Sequence, residues 1–134
     1  MANLRTIGPV MLIGAGKMGM ALATGWLEAG LPPTNLVLVE PRPSEETKAF
    51  AAEYDLRIYD HAVGLLPNVL VLAVKPQIID EVMASLVPVI GPQTLVVSIA
   101  AGISLARLTK GTGTDRVVRS MPNTPAQIGA RALG

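Results

Sequence analysis

The nine residues IGAGKMGMA, from Ile13 to Ala21, decide how the rest of the chain is read. They place glycines at 14, 16 and 19, the spacing G-x-G-x-x-G. Such a spacing arises by chance often enough that its meaning rests on what flanks it. Upstream, PVMLIG (Pro9 to Gly14) is a short apolar run that reads as a strand buried on both faces. Downstream, Met18, Ala21, Leu22, Gly25, Trp26 and Ala29 recur at three- and four-residue intervals, with Gly30 behind them as a stop, so Lys17 to Ala29 reads as a helix. A glycine turn in that position has a physical use. Gly14 permits a tight turn, Gly16 lets the backbone approach a pyrophosphate, and Gly19 lets the helix pack against the strand; with Ala15 inside the turn, the amides near Lys17 and Met18 face phosphates at a helix N-terminus.

The same alternation continues along the chain. NLVLVE (Asn35 to Glu40) predicts a second strand, and Ser44 caps a helix that carries Glu45 and Glu46 in its first turn and runs to about Tyr54. LRIY (Leu56 to Tyr59) and NVLVLAV (Asn68 to Val74) predict strands three and four. Pro76 suits a first helical position, Ile78, Ile79, Val82, Met83 and Leu86 form an apolar stripe, and Pro88 stops that helix. TLVVSIA (Thr94 to Ala100) predicts strand five, Ser104 a cap for a short helix ending near Gly111, and DRVVRS (Asp115 to Ser120) strand six. Strands alternating with helices through short turns imply right-handed crossovers and one α/β domain, a doubly wound parallel sheet of Rossmann type with strand order 3-2-1-4-5-6.

Composition agrees with this reading and narrows the function classes. The chain has 134 residues, half of them apolar and 16% charged, with Trp26, Phe50, Tyr54 and Tyr59 as its only aromatic rings besides His61, so aliphatic side chains must fill the core. The net charge of +1, with no basic stripe interleaved with aromatics, argues against a nucleic-acid partner. The lack of cysteine excludes disulfides and thiolate chemistry and suits a cytoplasmic protein, and a single histidine excludes a multi-histidine metal site. The apolar runs are far shorter than the roughly 20 residues of a membrane span, and the N-terminus lacks the pattern of a signal peptide. The expectation is a soluble domain without a metal or membrane role.

In such sheets ligands bind beyond the carboxyl ends of the strands, where the strand order reverses. The unusual residues collect there: GAGKMG after strand one, EPRPS after two, AVKP after four, IAAG after five and MPNTP after six. Glu40 lies 21 residues beyond Gly19, where a carboxylate accepts hydrogen bonds from adenosine ribose hydroxyls, which favours NAD. Arg42, with Ser44 as an extra donor, would instead pair a 2'-phosphate, so NADP stays open. Lys75, biased to an extended backbone by the proline, borders the crevice with its neighbours Ala73, Val74 and Pro76, or is simply a solvent-facing lysine. Ala100, Ala101 and Gly102 leave room for a flat ring or serve close packing. In Met121, Pro122, Asn123 and Thr124 the asparagine amide either orients nicotinamide or substrate, or stabilises a turn. His61 reads as a surface or locally bonded residue, Ser98 lies inside a strand, and no catalytic side chain stands out.

Four segments in order, IGAGKMGMALATGWLEAG, VLAVKPQ, VVSIAAGISLARL and VVRSMPNTPAQIGA, together resemble the N-terminal domain of pyrroline-5-carboxylate reductase across essentially the whole chain. The resemblance implies reduction of 1-pyrroline-5-carboxylate to L-proline, the last step of proline synthesis, by hydride transfer from NADPH or NADH to the cyclic imine. It puts cofactor contacts on Gly14 to Gly19, the end of strand two, Ala73 to Pro76 and Ala100 to Gly102, and the nicotinamide near MPNTP. Asp60 stands where the family commonly has asparagine, and Glu40 where members carry small or basic residues for the 2'-phosphate. Family members are roughly twice as long, with a C-terminal helical domain that forms the homodimer and much of the substrate pocket. The expectation is therefore a cofactor-binding half, weak or inactive alone. The alternatives are a related imine or hydroxyacid oxidoreductase and a non-catalytic NAD(P)-binding module.

Overall fold

The computed structural model describes residues 8–14, 16–62 and 66–120. Six strands form one sheet in the order 3-2-1-4-5-6, all neighbours parallel. They are β1 (Val10–Ile13), β2 (Leu36–Val39), β3 (Arg57–Tyr59), β4 (Val69–Leu72), β5 (Leu95–Ser98) and β6 (Val117–Arg119). The helices are α1 (Lys17–Glu28), α2 (Glu45–Tyr54), α3 (Ile79–Leu86) and α4 (Leu105–Thr112). The predicted elements and the predicted order are all present, each strand shorter than its predicted run, by one residue at the start for β3 and at both ends for the others.

Alternate strand residues enter two aliphatic cores, one on each face of the sheet. Leu12, Leu38 and Val71 pack with Leu22 and Trp26 of α1 and Ala51 of α2, while Met11, Leu70 and Leu72 pack with Ile79 and Met83 of α3 and Leu108 of α4. Leu12, Leu70 and Leu72 are fully buried, and each such side chain contributes about 1.5–3 kcal/mol relative to exposure. That two-sided burial explains why β1 and β4 read as unbroken apolar runs rather than alternating ones.

Helix ends show how local chemistry sets the boundaries. Ser44 and Ser104 cap α2 and α4, their hydroxyls accepting from the Thr47 and Arg107 amides at 3.1 Å each. Beyond α1, Gly30 takes φ +114° while Gly30 and Leu31 donate to Leu27 and Trp26, a paired closure that only a glycine-like residue makes without strain. One expectation needs correction. Pro76 opens a single 3₁₀ turn (Pro76–Ile78) and the α-helix begins only at Ile79; the tighter turn rotates Ile78 off the buried stripe and leaves it 41% exposed. α4 ends at Thr112, near Gly111 as expected; Gly111 itself lies inside the helix, where a Cβ would meet the Met83 side chain, and Gly113 at φ +77° is the left-handed cap. Among the described residues no helix is long and apolar enough to cross a membrane, and no group of three or more His, Cys, Asp or Glu could hold a metal.

Candidate functional site: a cleft on the carboxyl rim of the sheet

The ladder runs one residue past the strands and so lines up the turns. Gly14 N–H donates to Val39 O at 2.9 Å, Glu40 to Tyr59 at 2.8 Å, Ala73 to Ile13 at 2.8 Å, Ile99 to Leu72 at 3.1 Å and Ser120 to Ser98 at 2.8 Å. Gly14, Glu40, Ala73 and Ile99 therefore stand side by side on one rim. β1 is the strand from which the order runs both ways, so the glycine turn sits at the reversal point.

Each glycine of that turn has a separate steric reason. Gly14 adopts φ +91°, and a Cβ there would lie 2.9 Å from Ala73 O, so both conformation and space demand glycine. A Cβ on Gly19 would lie 2.5 Å from the carbonyl oxygen of Gly14, which means that α1 rests directly on the backbone of the turn. Gly16 is different, since among the described residues a Cβ there meets nothing within 4 Å, which leaves room for a ligand's phosphates.

The start of α1 is equally open. Gly16 is its N-cap, no side chain caps it, and no acidic residue lies in its first turn. The Met20 amide donates to Gly16 O at 2.8 Å, and the amides of Lys17, Met18 and Gly19 ahead of it are those that the first turn of a helix leaves without an intrahelical acceptor. Lys17 and Met18 are exposed. An uncompensated row of N–H groups with the positive end of a helix dipole suits an anion.

Next to this turn lies a cleft of about 330 Å³. Its floor is aliphatic, from Ile13, Val39 and Val74 on the strand ends and Ile78, Val82 and Leu86 along α3. Its polar lip is made by Glu40, Arg42, Asp60, His61 and Ser85. Glu40 is half-buried, and its Oε1 accepts the backbone N–H of Arg42 at 3.2 Å, which folds the carboxylate over the turn. His61 Nδ1 lies 2.6 Å from Asp60 Oδ1, with both side chains largely exposed.

Of the residues expected at a cofactor site, Gly14, Glu40, Arg42 and Val74 meet in this cleft. Gly16, Lys17, Met18 and Gly19 lie beside it at the start of α1. Ala73, Lys75 and Pro76 follow β4 on the same rim, and Lys75 takes the extended backbone (φ −66°, ψ 145°) that its proline imposes. Ala100, Ala101 and Gly102 follow β5 on that rim but do not line the cleft; Gly102 holds φ +76°, so its backbone conformation alone accounts for the glycine. Ser98 is buried, and its Oγ accepts the Ala100 amide at 3.3 Å, a structural role. The expectations for Ala15 and for Met121, Pro122, Asn123 and Thr124 lie outside the described residues. Sequence reasoning missed Ile78, Val82, Ser85 and Leu86 as cleft residues, because their helical period announces only which face is apolar, not that the face overhangs a strand end.

A parallel sheet wound in this order, with a glycine turn and an open helix start at its reversal point, defines an α/β protein of the dinucleotide-binding, Rossmann type. Residues 9–102 match the family described as NADP oxidoreductase, coenzyme F420-dependent, and the chain belongs to that family. Among its relatives, pyrroline-5-carboxylate reductase of Haemophilus influenzae is 38% identical, over 93% of this chain and 46% of that protein. The enzyme of the same name from Pisum sativum is 37% identical, over 90% of this chain and 44% of that protein. A solved pyrroline-5-carboxylate reductase of Coxiella burnetii superposes with a TM-score of 0.80 at 27% identity, covering 92% of this chain and 47% of that one. The Plasmodium falciparum pyrroline carboxylate reductase solved with NADP bound gives 0.69, also at 27% identity, covering 90% of this chain and 44% of that one. The chain spans about half the length of the curated relatives it matches.

Proposed function

We propose that this chain is the dinucleotide-binding half of a pyrroline-5-carboxylate reductase, an oxidoreductase that converts 1-pyrroline-5-carboxylate to L-proline with NADPH or NADH. The observation that carries the reading is the convergence on one rim of the glycine turn, the open start of α1 and the cleft at the ends of β2 and β4. The likeness to reductases of that name over nine-tenths of the chain supports the choice of reaction.

In this reading residues 1–134 form one domain, and its residues divide the work of binding. Gly14 to Gly19 and the first amides of α1 hold the pyrophosphate, and Glu40, Arg42 and the cleft hold the adenosine end. Ala73 to Pro76 and Ala100 to Gly102 border the path to the nicotinamide, with Met121 to Thr124 near the substrate. The reduced nicotinamide supplies a hydride for the imine carbon. A protonated imine needs no side-chain nucleophile, so this half contributes position and exclusion of water. The remaining length of a reductase supplies most of the substrate pocket and the homodimer contact, and the protein works in the cytoplasm.

Calorimetric titration with NADH and NADPH, beside an assay for proline formation, tests the reading. The expected result is binding of at least one dinucleotide by the 134-residue chain with little or no turnover, and turnover by a protein of the relatives' full length. No binding of either dinucleotide would overturn the site; robust turnover by the chain alone would overturn its assignment as half of the enzyme.

A further inference from the structure

We infer that the lip of the cleft selects the dinucleotide that lacks a 2'-phosphate, NADH over NADPH, with Glu40 as the discriminating residue. The inference rests on the dinucleotide-binding reading above and sets this chain apart from the NADP named in its family's description and in the Plasmodium relative.

Glu40 is held at both ends. Its own N–H donates to Tyr59 O at 2.8 Å, which keeps it in line with the sheet, and its carboxylate is folded back onto the Arg42 amide at 3.2 Å. An anionic acceptor is thereby fixed at the end of the second strand, facing the cleft, where a ribose presents hydroxyl donors. A 2'-phosphate replaces one of those donors with a group of nearly two negative charges. Asp60, one residue past β3 on the same lip, adds a second carboxylate.

The groups that would welcome a phosphate are weaker than the sequence suggests. Ser44 is committed to α2: its Oγ accepts the Thr47 N–H at 3.1 Å and shares a 3.0 Å hydrogen bond with Thr47 Oγ1, whose own hydroxyl points to Met20 Sδ at 3.5 Å. The imidazole of His61 sits against the carboxylate of Asp60 at 2.6 Å. Among the described residues of the lip Arg42 is the one arginine or lysine; it is exposed, and its guanidinium would have to neutralise a phosphate set beside two carboxylates.

The test uses the adenosine end alone, so that nicotinamide and substrate play no part. ADP-ribose and its 2'-phosphorylated counterpart are titrated into the 134-residue chain by calorimetry, followed by NADH and NADPH. The expected result is binding at least about tenfold tighter for the unphosphorylated member of each pair, as for loss of a charge-assisted hydrogen bond. Glu40→Ser should move that ratio by about tenfold or more toward the phosphorylated member, and Glu40→Gln, which keeps the shape and removes the charge, should move it part of the way. Equal or tighter binding of the phosphorylated probe by the wild-type chain would overturn the inference, and so would a ratio unchanged in both variants while binding persists. If neither pair binds at all, the parent reading falls and this one with it.

Discussion

The first turns of α1 and α2 follow adjacent strands on the same rim, and they are built in opposite ways. α2 is closed: Ser44 caps it and Glu45 and Glu46 satisfy the positive end of its dipole. α1 is left open, with glycine at the N-cap and no acidic residue in its first turn. A helix start that is finished by its own side chains has nothing to offer a ligand, whereas one finished by none keeps its amides available. The difference shows why the glycine turn carries the phosphate end in the proposed function, while the segment after β2 contributes through Glu40 and Arg42 ahead of the cap.

Closing α1 is the most direct way to break the contrast. Gly16→Asp places a capping carboxylate where the backbone (φ −79°, ψ −166°) accepts one and where space is open. Stability should change by only a few tenths of a kcal/mol, but dinucleotide affinity should fall by about a hundredfold or more, near 2.7 kcal/mol, through repulsion of the pyrophosphate. Calorimetry beside thermal denaturation separates the two. Gly19→Ala attacks the seat of the helix instead. Its Cβ would press on the Gly14 carbonyl, which is backbone and cannot swing aside, so the chain should lose about 1–3 kcal/mol in a denaturant titration.

Opening α2 is the reverse experiment, with a smaller effect. Ser44→Ala removes the acceptor for the Thr47 amide and should cost about 1 kcal/mol of unfolding free energy. Affinity for ADP-ribose should hold if the Ser44 hydroxyl serves only the helix.

The smallest effect is expected at an exposed ion pair between α3 and α4 whose two residues do not line the cleft, and it serves as a control. Arg107 of α4 donates to Asp80 of α3 from Nε (2.9 Å) and Nη2 (2.7 Å). Those hydrogen bonds hold the Asp80 carboxyl below its ordinary value of 3.8. The bridge therefore contributes above that value and is lost as pH falls through the lower folded value. Both side chains are well exposed, so Asp80→Asn should shift the melting temperature only slightly at neutral pH. The variant should converge with wild type at the acid end of a pH series and bind dinucleotide as wild type does.

What was legible in advance follows from how local each cause is. The serine caps, the extended Lys75 before Pro76 and the glycine stop after α1 are interactions among residues a few positions apart, and all were readable. Gly111 marked the neighbourhood of the α4 end, but its packing against Met83 on α3, 28 positions away in sequence, was not legible. His61 was read as a local surface residue, and its pairing with Asp60 bears that out, but nothing near it in sequence could place it at the mouth of a cleft.

The sequence alone determined the alternation of strand and helix, the two-sided burial of the central strands and the strand–glycine–helix unit, because each is a pattern of side chains along one short segment. With right-handed crossovers these leave little freedom in strand order. Only the tertiary structure decided that α3 overhangs the ends of β1 and β4 to make the cleft, that Glu40 is folded onto the Arg42 amide, and that Ser44 is spent on its own helix. Those outcomes depend on distances between groups brought together by several elements at once, and on which of two partners a side chain meets when both lie within its reach.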